Sequence, residues 1–140
     1  MCIRDRYFGP VQVITVELPR GARIQPGDVP VPVTQERVLF RTLSMPDPDH
    51  FNPDFVSLSP GLVDWLADQG VTLVGLDTPS VDPSADAELL SHNAIARRDM
   101  AILEGVVLEH VADGVYTLCA LPLRIEGADA SPVRAVLLDP

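Results

Sequence analysis

The fold class is indicated by residues 71–80, which read VTLVGLDTPS. Residues 71–76 form a nearly continuous apolar run, which is typical of a central strand covered on both faces. A helix is predicted just before this strand, because Ser59 suits the N-cap, Pro60 suits the first helical position and Gly70 suits a left-handed stop. A buried strand that follows a helix so closely favours an α/β protein.

The remaining segments supply the other elements of such a fold. Strands are predicted at residues 11–18 and 38–42, and a second helix is expected at about residues 85–97. Further strands are expected at residues 101–108, 115–123 and 133–138. The connections at residues 19–32 and 44–59 contain many prolines and read as loops. The order β-β-α-β-α-β-β-β predicts a mixed α/β architecture with a partly antiparallel sheet.

The composition is that of a folded, acidic domain. The 140 residues are 46% hydrophobic, and 20 Asp and Glu against 10 Lys and Arg give a net charge of −10. This charge argues against a nucleic-acid partner, whose phosphates require clustered Lys and Arg. No apolar run is long enough for a membrane helix. The two cysteines, Cys2 and Cys119, are no disulfide framework, so a reduced, cytoplasmic setting is expected.

His92 and Glu104 are the candidate metal ligands. His92 falls on the second predicted helix, and Glu104 lies in the strand that follows, joined to it by a tight connection. A helix that doubles back onto the next strand can bring the two side chains together. Imidazole and carboxylate suit zinc, manganese or iron, although a buried His–Glu hydrogen bond would use the same two residues.

Other polar residues allow both functional and structural interpretations. Asp77, Thr78 and Ser80 lie at the end of the buried strand, where α/β proteins place their sites, but Asp77 and Ser80 would also suit the capping of loop amides. His50 lies in an acidic loop and His110 beside a turn, and both are expected to be solvated. Cys119 lies in an apolar strand and is expected to be a core residue rather than a nucleophile.

Several segments together resemble the cyclase family of metal-dependent amidohydrolases, and in particular the bacterial-type kynurenine formamidases. The resembling stretches are YFGP at 7–10, GLDTPSVDP at 75–83, His92 with AILEG at 101–105, ALPLR at 120–124 and ASPVRAV at 130–136. The resemblance implies a swivelling β/α/β domain, usually a homodimer, with two divalent metals, commonly zinc. It also implies hydrolysis of a small-molecule formamide, N-formyl-L-kynurenine, to L-kynurenine and formate in tryptophan breakdown. His92 and Glu104 match the later metal ligands of the family.

The sequence departs from the family pattern in one respect. An earlier His-x-Gly-Thr-His-x-Asp motif supplies the other ligands in family members, with a further acid–base histidine, and this sequence has no such motif. We expect residues 1–6 (MCIRDR) to be a foreign or mis-assembled leader, and residues 7–140 to be the C-terminal part of the domain. The chain alone is then expected to be inactive. Two alternatives stay open: a cyclase-family hydrolase of another cyclic or aryl amide, and a non-catalytic dimerisation or ligand-binding module.

Overall fold

A computed structural model describes residues 3–47 and 49–139 of the chain. The strands are β1 (Phe8–Thr15), β2 (Arg23–Ile24), β3 (Arg37–Arg41), β4 (Ser57–Leu58), β5 (Leu73–Leu76), β6 (Ala101–Leu103), β7 (Gly114–Cys119) and β8 (Val136–Leu138). The helices are α1 (Ile3–Arg6), α2 (Pro60–Asp68) and α3 (Leu90–Arg97), with a 3-10 turn at Pro26–Asp28. Within the described residues, no helix is long and apolar enough to cross a membrane.

The main sheet has six strands in the order β6-β5-β3-β1-β7-β8. The strands from β6 to β1 are parallel, whereas β7 pairs antiparallel with β1 and β8 pairs antiparallel with β7. The short strands β2 and β4 form a separate parallel pair. The predicted mixed α/β architecture with a partly antiparallel sheet is confirmed. Because the carboxyl ends of parallel strands meet at one edge, the segments after β3, β5 and β6 are neighbours.

The first long helix, α2, begins and ends as the sequence predicts. The Ser59 hydroxyl accepts a hydrogen bond from the Leu62 N–H at 3.1 Å, and Pro60 occupies the first turn. Gly70 follows the helix with a φ of +85°, a conformation that L side chains rarely adopt. Leu62 and Leu66 are fully buried, so the helix packs its apolar face on the sheet.

The two faces of the main sheet carry separate apolar clusters. Strand residues of one face pack with the buried side chains of both α2 and α3, including Leu66 and Ile95. On the other face, strand residues pack with buried side chains of the connections, including Leu108 and Ala120. Both longer helices therefore cover the same face of the sheet.

Several predicted boundaries are wrong. The second helix was expected from residue 85 but begins at Leu90, because Leu89 adopts a left-handed φ of 52°. The strand expected at residues 101–108 ends at Leu103, and Gly105 follows with a φ of +66°. The strand expected at residues 11–18 has the predicted length but begins three residues earlier, at Phe8, and the strands expected at residues 115–123 and 133–138 are shorter than predicted. The loop at residues 19–32 contains strand β2, in which Ile24 is fully buried.

The amino-terminal residues are in contact with the rest of the chain. Arg6 forms an ion pair with Asp99 at 2.6 Å and is 11% exposed. The Arg37 guanidinium donates to the carbonyl oxygens of Asp5 and Arg6, each at 2.7 Å. Met1 and Cys2 lie outside the described residues, and the expected foreign origin of residues 1–6 stays a prediction.

Candidate metal site

Three consecutive parts of the chain bring the candidate ligands together. Strand β5 leads into a turn that contains Val81 and Asp82, α3 carries His92 in its first turn, and Glu104 directly follows β6. Since β5 and β6 are parallel neighbours, the turn after one and the carboxylate after the other lie at the same edge of the sheet. The predicted proximity of His92 and Glu104 is thereby explained.

His92 lies between two carboxylates. Its Nδ1 atom is 2.9 Å from Asp82 Oδ2, and its Nε2 atom is 3.6 Å from Glu104 Oε1. The first distance is that of a hydrogen bond, and the second is too long for a good one. His92 and Glu104 are 33% and 29% exposed, so solvent reaches both side chains. The structure therefore does not contain the buried His–Glu hydrogen bond that was the alternative interpretation.

Asp82 is fully buried and serves as the cap of α3. Its carboxylate accepts hydrogen bonds from the backbone N–H groups of Ser91 at 2.8 Å and His92 at 2.9 Å. Burial by itself would raise the pKa of Asp82, but the hydrogen bonds from His92 and Ser91 outweigh it and hold the pKa below its ordinary value. Arg23 adds a longer contact, 3.5 Å from Asp82 Oδ1.

Glu104 has the opposite electrostatic balance. Burial raises the pKa of its carboxyl above the ordinary value, and this effect exceeds the lowering by the Val81 N–H and by His92. The Val81 N–H donates to Glu104 Oε1 at 2.7 Å, so the carboxylate is held at a defined position. Asp82 contributes to the rise because it is a second negative charge nearby.

The separation of the two candidate atoms fits a shared metal ion. Zinc binds imidazole nitrogen and carboxylate oxygen at about 2.0–2.2 Å, and two such ligands at a tetrahedral angle are about 3.3–3.5 Å apart. The observed distance between His92 Nε2 and Glu104 Oε1 is 3.6 Å. Within residues 3–47 and 49–139, no group of three or more His, Cys, Asp or Glu side chains is arranged to hold a metal ion. The described residues therefore bring together two candidate ligand atoms, fewer than a complete metal centre needs.

The turn of Asp77, Thr78 and Ser80 has a clear structural role. The Asp77 carboxylate accepts the N–H groups of Thr42 and Leu43 at 2.9 and 2.8 Å, which stabilises the left-handed Leu43. The Thr78 hydroxyl donates to the Ser80 carbonyl oxygen at 3.2 Å. Asp77 thus caps loop amides, and Ser80 Oγ accepts the Asp82 N–H at 3.1 Å, as one of the two interpretations expected. Asp77 also lines a cavity of about 330 Å³, so its role in a pocket stays a prediction.

The other candidate residues lie apart from this site. His50 is exposed and hydrogen-bonded to Asp47 at 2.7 Å, and His110 is exposed beside Glu109. Cys119 lies at the end of β7 and is half-buried rather than in the core. None of these residues is among the contacts of His92 or Glu104 described above.

Sequence reasoning missed the roles of Val81 and Asp82. Both lie within the stretch 75–83 that carries the family resemblance, but neither was given a function. The signal was an aspartate ten residues before His92 in a turn that follows a buried strand. Such a residue can cap the next helix only if the intervening loop folds back, and spacing alone does not show that.

Comparison with known proteins places the chain in a family. The family model described as "Putative cyclase" matches residues 3–83, which is more than half of the chain. The chain belongs to this cyclase family. The recognition made from the residues is therefore confirmed.

Individual relatives extend the comparison to most of the chain. The protein named "Kynurenine formamidase" of Bordetella petrii is 44% identical over 139 residues, covering 95% of this chain and 64% of the relative. That of Maricaulis maris is 42% identical over 135 residues, again covering 95% and 64%. A solved structure described as "The Structure Of Potential Metal-Dependent Hydrolase With Cyclase Activity" superposes with a TM-score of 0.85 at 26% identity, covering 96% of this chain and 66% of that chain. The chain thus spans 64% of the length of the two curated relatives.

Proposed function

We propose that the full-length protein hydrolyses N-formyl-L-kynurenine to L-kynurenine and formate in tryptophan degradation. The proposal is carried by the 44% identity to a curated kynurenine formamidase across 95% of the chain. The convergence of His92 and Glu104, with Asp82 behind the imidazole, supports it. The enzyme is accordingly an arylformamidase-type amide hydrolase, to which this chain contributes one part of the active site.

We propose that the cofactor is a divalent metal, zinc, with two ions in the complete site. His92 Nε2 and Glu104 are the ligands from this chain, and residues outside it supply the others together with the acid–base histidine. A metal bound there would act as a Lewis acid and lower the pKa of water. Residues 7–140 would then form the C-terminal part of the catalytic domain, inactive by itself.

The surroundings of Glu104 suit an aromatic amide. A cavity of about 380 Å³ lies beside Glu104 and has mostly apolar walls, to which Leu39, Leu118 and Val133 contribute. Binding pockets for small molecules are commonly apolar with a few polar groups that orient the ligand. The size and the mostly apolar lining of this cavity support an aromatic substrate such as an anilide.

The remaining properties follow as parts of the same proposal. We place the protein in the cytoplasm as a homodimer that binds neither nucleic acid nor membranes. The net charge of −10 supports the exclusion of nucleic acid.

The test is N-formylkynurenine hydrolysis by the full-length protein and its His92→Ala and Glu104→Ala variants. Loss of a metal ligand should lower turnover by at least about 100-fold, since even outer partners of ligands cost 10–100-fold. The zinc content per protein chain, measured by elemental mass spectrometry, should fall in both variants. The matched control is His110→Ala, because His110 is an exposed histidine beside Glu109.

Each outcome of this test distinguishes between functions. Turnover that depends on metal and is lost in both variants supports the formamidase. A folded, metal-loaded protein without turnover points to another cyclic or aryl amide, and a folded protein that binds no metal points to a binding or dimerisation module. Turnover by the 140-residue chain with added zinc would refute the proposed inactivity of the piece.

A further inference from the structure

We propose that Asp82 is a positioning residue, which fixes His92 as the Nδ1–H tautomer and directs the free Nε2 lone pair towards Glu104. The inference rests on the proposed function only where it treats Nε2 as the metal-binding atom. Asp82 is not among the hydrogen-bond or ion-pair partners of Glu104 described above and does not line the cavity beside it, so it acts through His92. Its effect should therefore be visible in the imidazole before any reaction takes place.

The tautomer follows from the chemistry of the carboxylate. An ionised aspartate can only accept hydrogen bonds. His92 Nδ1 lies 2.9 Å from Asp82 Oδ2, so the proton of a neutral imidazole must be on Nδ1 for this hydrogen bond to exist. The proton is then absent from Nε2, whose lone pair is available to a cation. Metal-binding histidines generally have their second nitrogen held in this way.

The same carboxylate oxygen also holds the backbone of His92. Asp82 Oδ2 accepts the His92 N–H at 2.9 Å, while Oδ1 accepts the Ser91 N–H at 2.8 Å. The ring and the backbone of His92 are thus attached to one atom, and this restricts rotation of the side chain about its own bonds. The carboxylate that caps the start of α3 therefore also orients the imidazole.

The neighbouring residue holds the other ligand. Val81 donates its N–H to Glu104 Oε1 at 2.7 Å, and Val81 is covalently joined to Asp82. The turn is anchored in its own right, because the Leu58 N–H donates to the Val81 carbonyl oxygen at 2.9 Å and Ser80 Oγ accepts the Asp82 N–H at 3.1 Å. Two adjacent residues of one anchored turn thereby set the separation of His92 Nε2 and Glu104 Oε1.

The chain offers a matched control in Asp86. Arg23 contacts the carboxylates of both Asp82 and Asp86. Asp86 accepts the Glu88 N–H at 3.0 Å and is not a partner of His92 in the structure. Conversion of Asp86 to asparagine removes a similar charge from the same arginine without changing what His92 Nδ1 contacts.

The experiment compares the 140-residue chain with its Asp82→Asn and Asp86→Asn variants. Asparagine keeps one acceptor oxygen for the helix cap, but its amide presents N–H donors to Nδ1. The tautomer of His92 is measured by long-range ¹H–¹⁵N correlation at pH 8, where an ordinary histidine is neutral. Zinc affinity is measured by titration with zinc alone, followed through the resonances of His92 and Glu104.

The wild-type chain and Asp86→Asn should show the Nδ1–H form, and Asp82→Asn should change the tautomer ratio by at least about tenfold towards Nε2–H. Zinc affinity should fall about 10–100-fold in Asp82→Asn alone, the range found for outer partners of metal ligands. An Nε2–H form in the wild type, an Asp82→Asn variant that keeps Nδ1–H, or an unchanged zinc affinity would overturn the proposal. If the Asp82→Asn variant does not fold, the tautomer of His92 in the wild-type chain alone supports or overturns the proposal. None of these readouts requires formamide hydrolysis, so failure of the proposed substrate leaves the result intact.

Discussion

Gly75 is a glycine of the main sheet that leaves no room for a side chain. It lies in β5 and pairs with Leu39 of β3 on one side and Leu103 of β6 on the other. A Cβ atom added at Gly75 would lie 2.5 Å from the Leu103 carbonyl oxygen and 2.6 Å from Leu39 Cδ2. The substitution Gly75→Ala therefore places a methyl group where backbone and side chain already meet, a use of glycine that is common in strand interiors.

The loss of unfolding free energy caused by Gly75→Ala depends on which neighbouring atom has to move. Leu39 Cδ2 is the end of a side chain and can change rotamer, but the Leu103 oxygen moves only if β6 shifts. Overpacking a well-packed core costs about 1–3 kcal/mol, and the contact with backbone favours the upper end. A domain with about 5–15 kcal/mol of stability survives such a loss. Because Glu104 follows Leu103 directly, the same shift of β6 should also weaken the zinc binding proposed above.

The assay is urea unfolding of the wild type and Gly75→Ala, with Gly114→Ala as the control. Gly114 is also a strand glycine of the main sheet, but a Cβ there meets only the Tyr116 ring at 3.6 Å or more, which is ordinary contact. We expect the control to change the free energy of unfolding by less than about 0.5 kcal/mol. The reasoning is refuted if Gly75→Ala costs no more than Gly114→Ala.

Two further predictions concern the cap of α2 and the charge of the site. Ser59→Ala removes the acceptor of the Leu62 N–H and should lower the free energy of unfolding, measured by chemical denaturation, by about 1 kcal/mol. The control Ser84→Ala, at an exposed position, should leave it unchanged. Equal losses of unfolding free energy in the two variants would contradict this prediction. The pKa of Glu104 is raised from its ordinary value of 4.5 by burial, so its contribution to stability is present below that value and is lost as the pH rises through the folded pKa. The stability of Glu104→Gln relative to the metal-free wild type should therefore increase as the pH rises above 4.5, measured by urea unfolding with a chelator. A difference that is independent of pH would argue against this prediction.

Local signals explain which elements could be predicted. The helix α2 and the strand β5 are marked by their own residues: a serine cap, a proline at the first turn, a glycine stop and an apolar run. The start of α3 was predicted five residues too early because its cap is Asp82, which lies outside the helix and reaches it through a folded loop. Strands β2 and β4 have two residues each and exist because Ile24 and Leu58 are buried against the rest of the core, a tertiary effect.

The candidate site also contains residues that the sequence indicates and residues that only the fold reveals. Residue type and sequence separation suggested His92 and Glu104, and the parallel pairing of β5 with β6 explains why they meet. Their supporting partners could not be predicted from spacing. The Val81 N–H is a backbone group with no signature in the sequence, and Asp82 resembles any aspartate of a Pro-rich turn until its three hydrogen bonds are seen.

The electrostatics of the site support the proposed metal ion. Glu104 and Asp82 are two carboxylates on either side of one imidazole, and the charge of Asp82 is one of the causes that raise the pKa of Glu104. Hydrogen bonds from His92 and Ser91 hold the pKa of Asp82 below its ordinary value, so a proton or another positive charge beside Glu104 would offset the repulsion between the two carboxylates. A proton on Glu104 would reduce its value as a ligand, and a proton on His92 Nε2 would remove the lone pair. The metal proposed above, bound between Nε2 and Oε1, would contact both groups at once, and by linkage its binding would stabilise the folded chain.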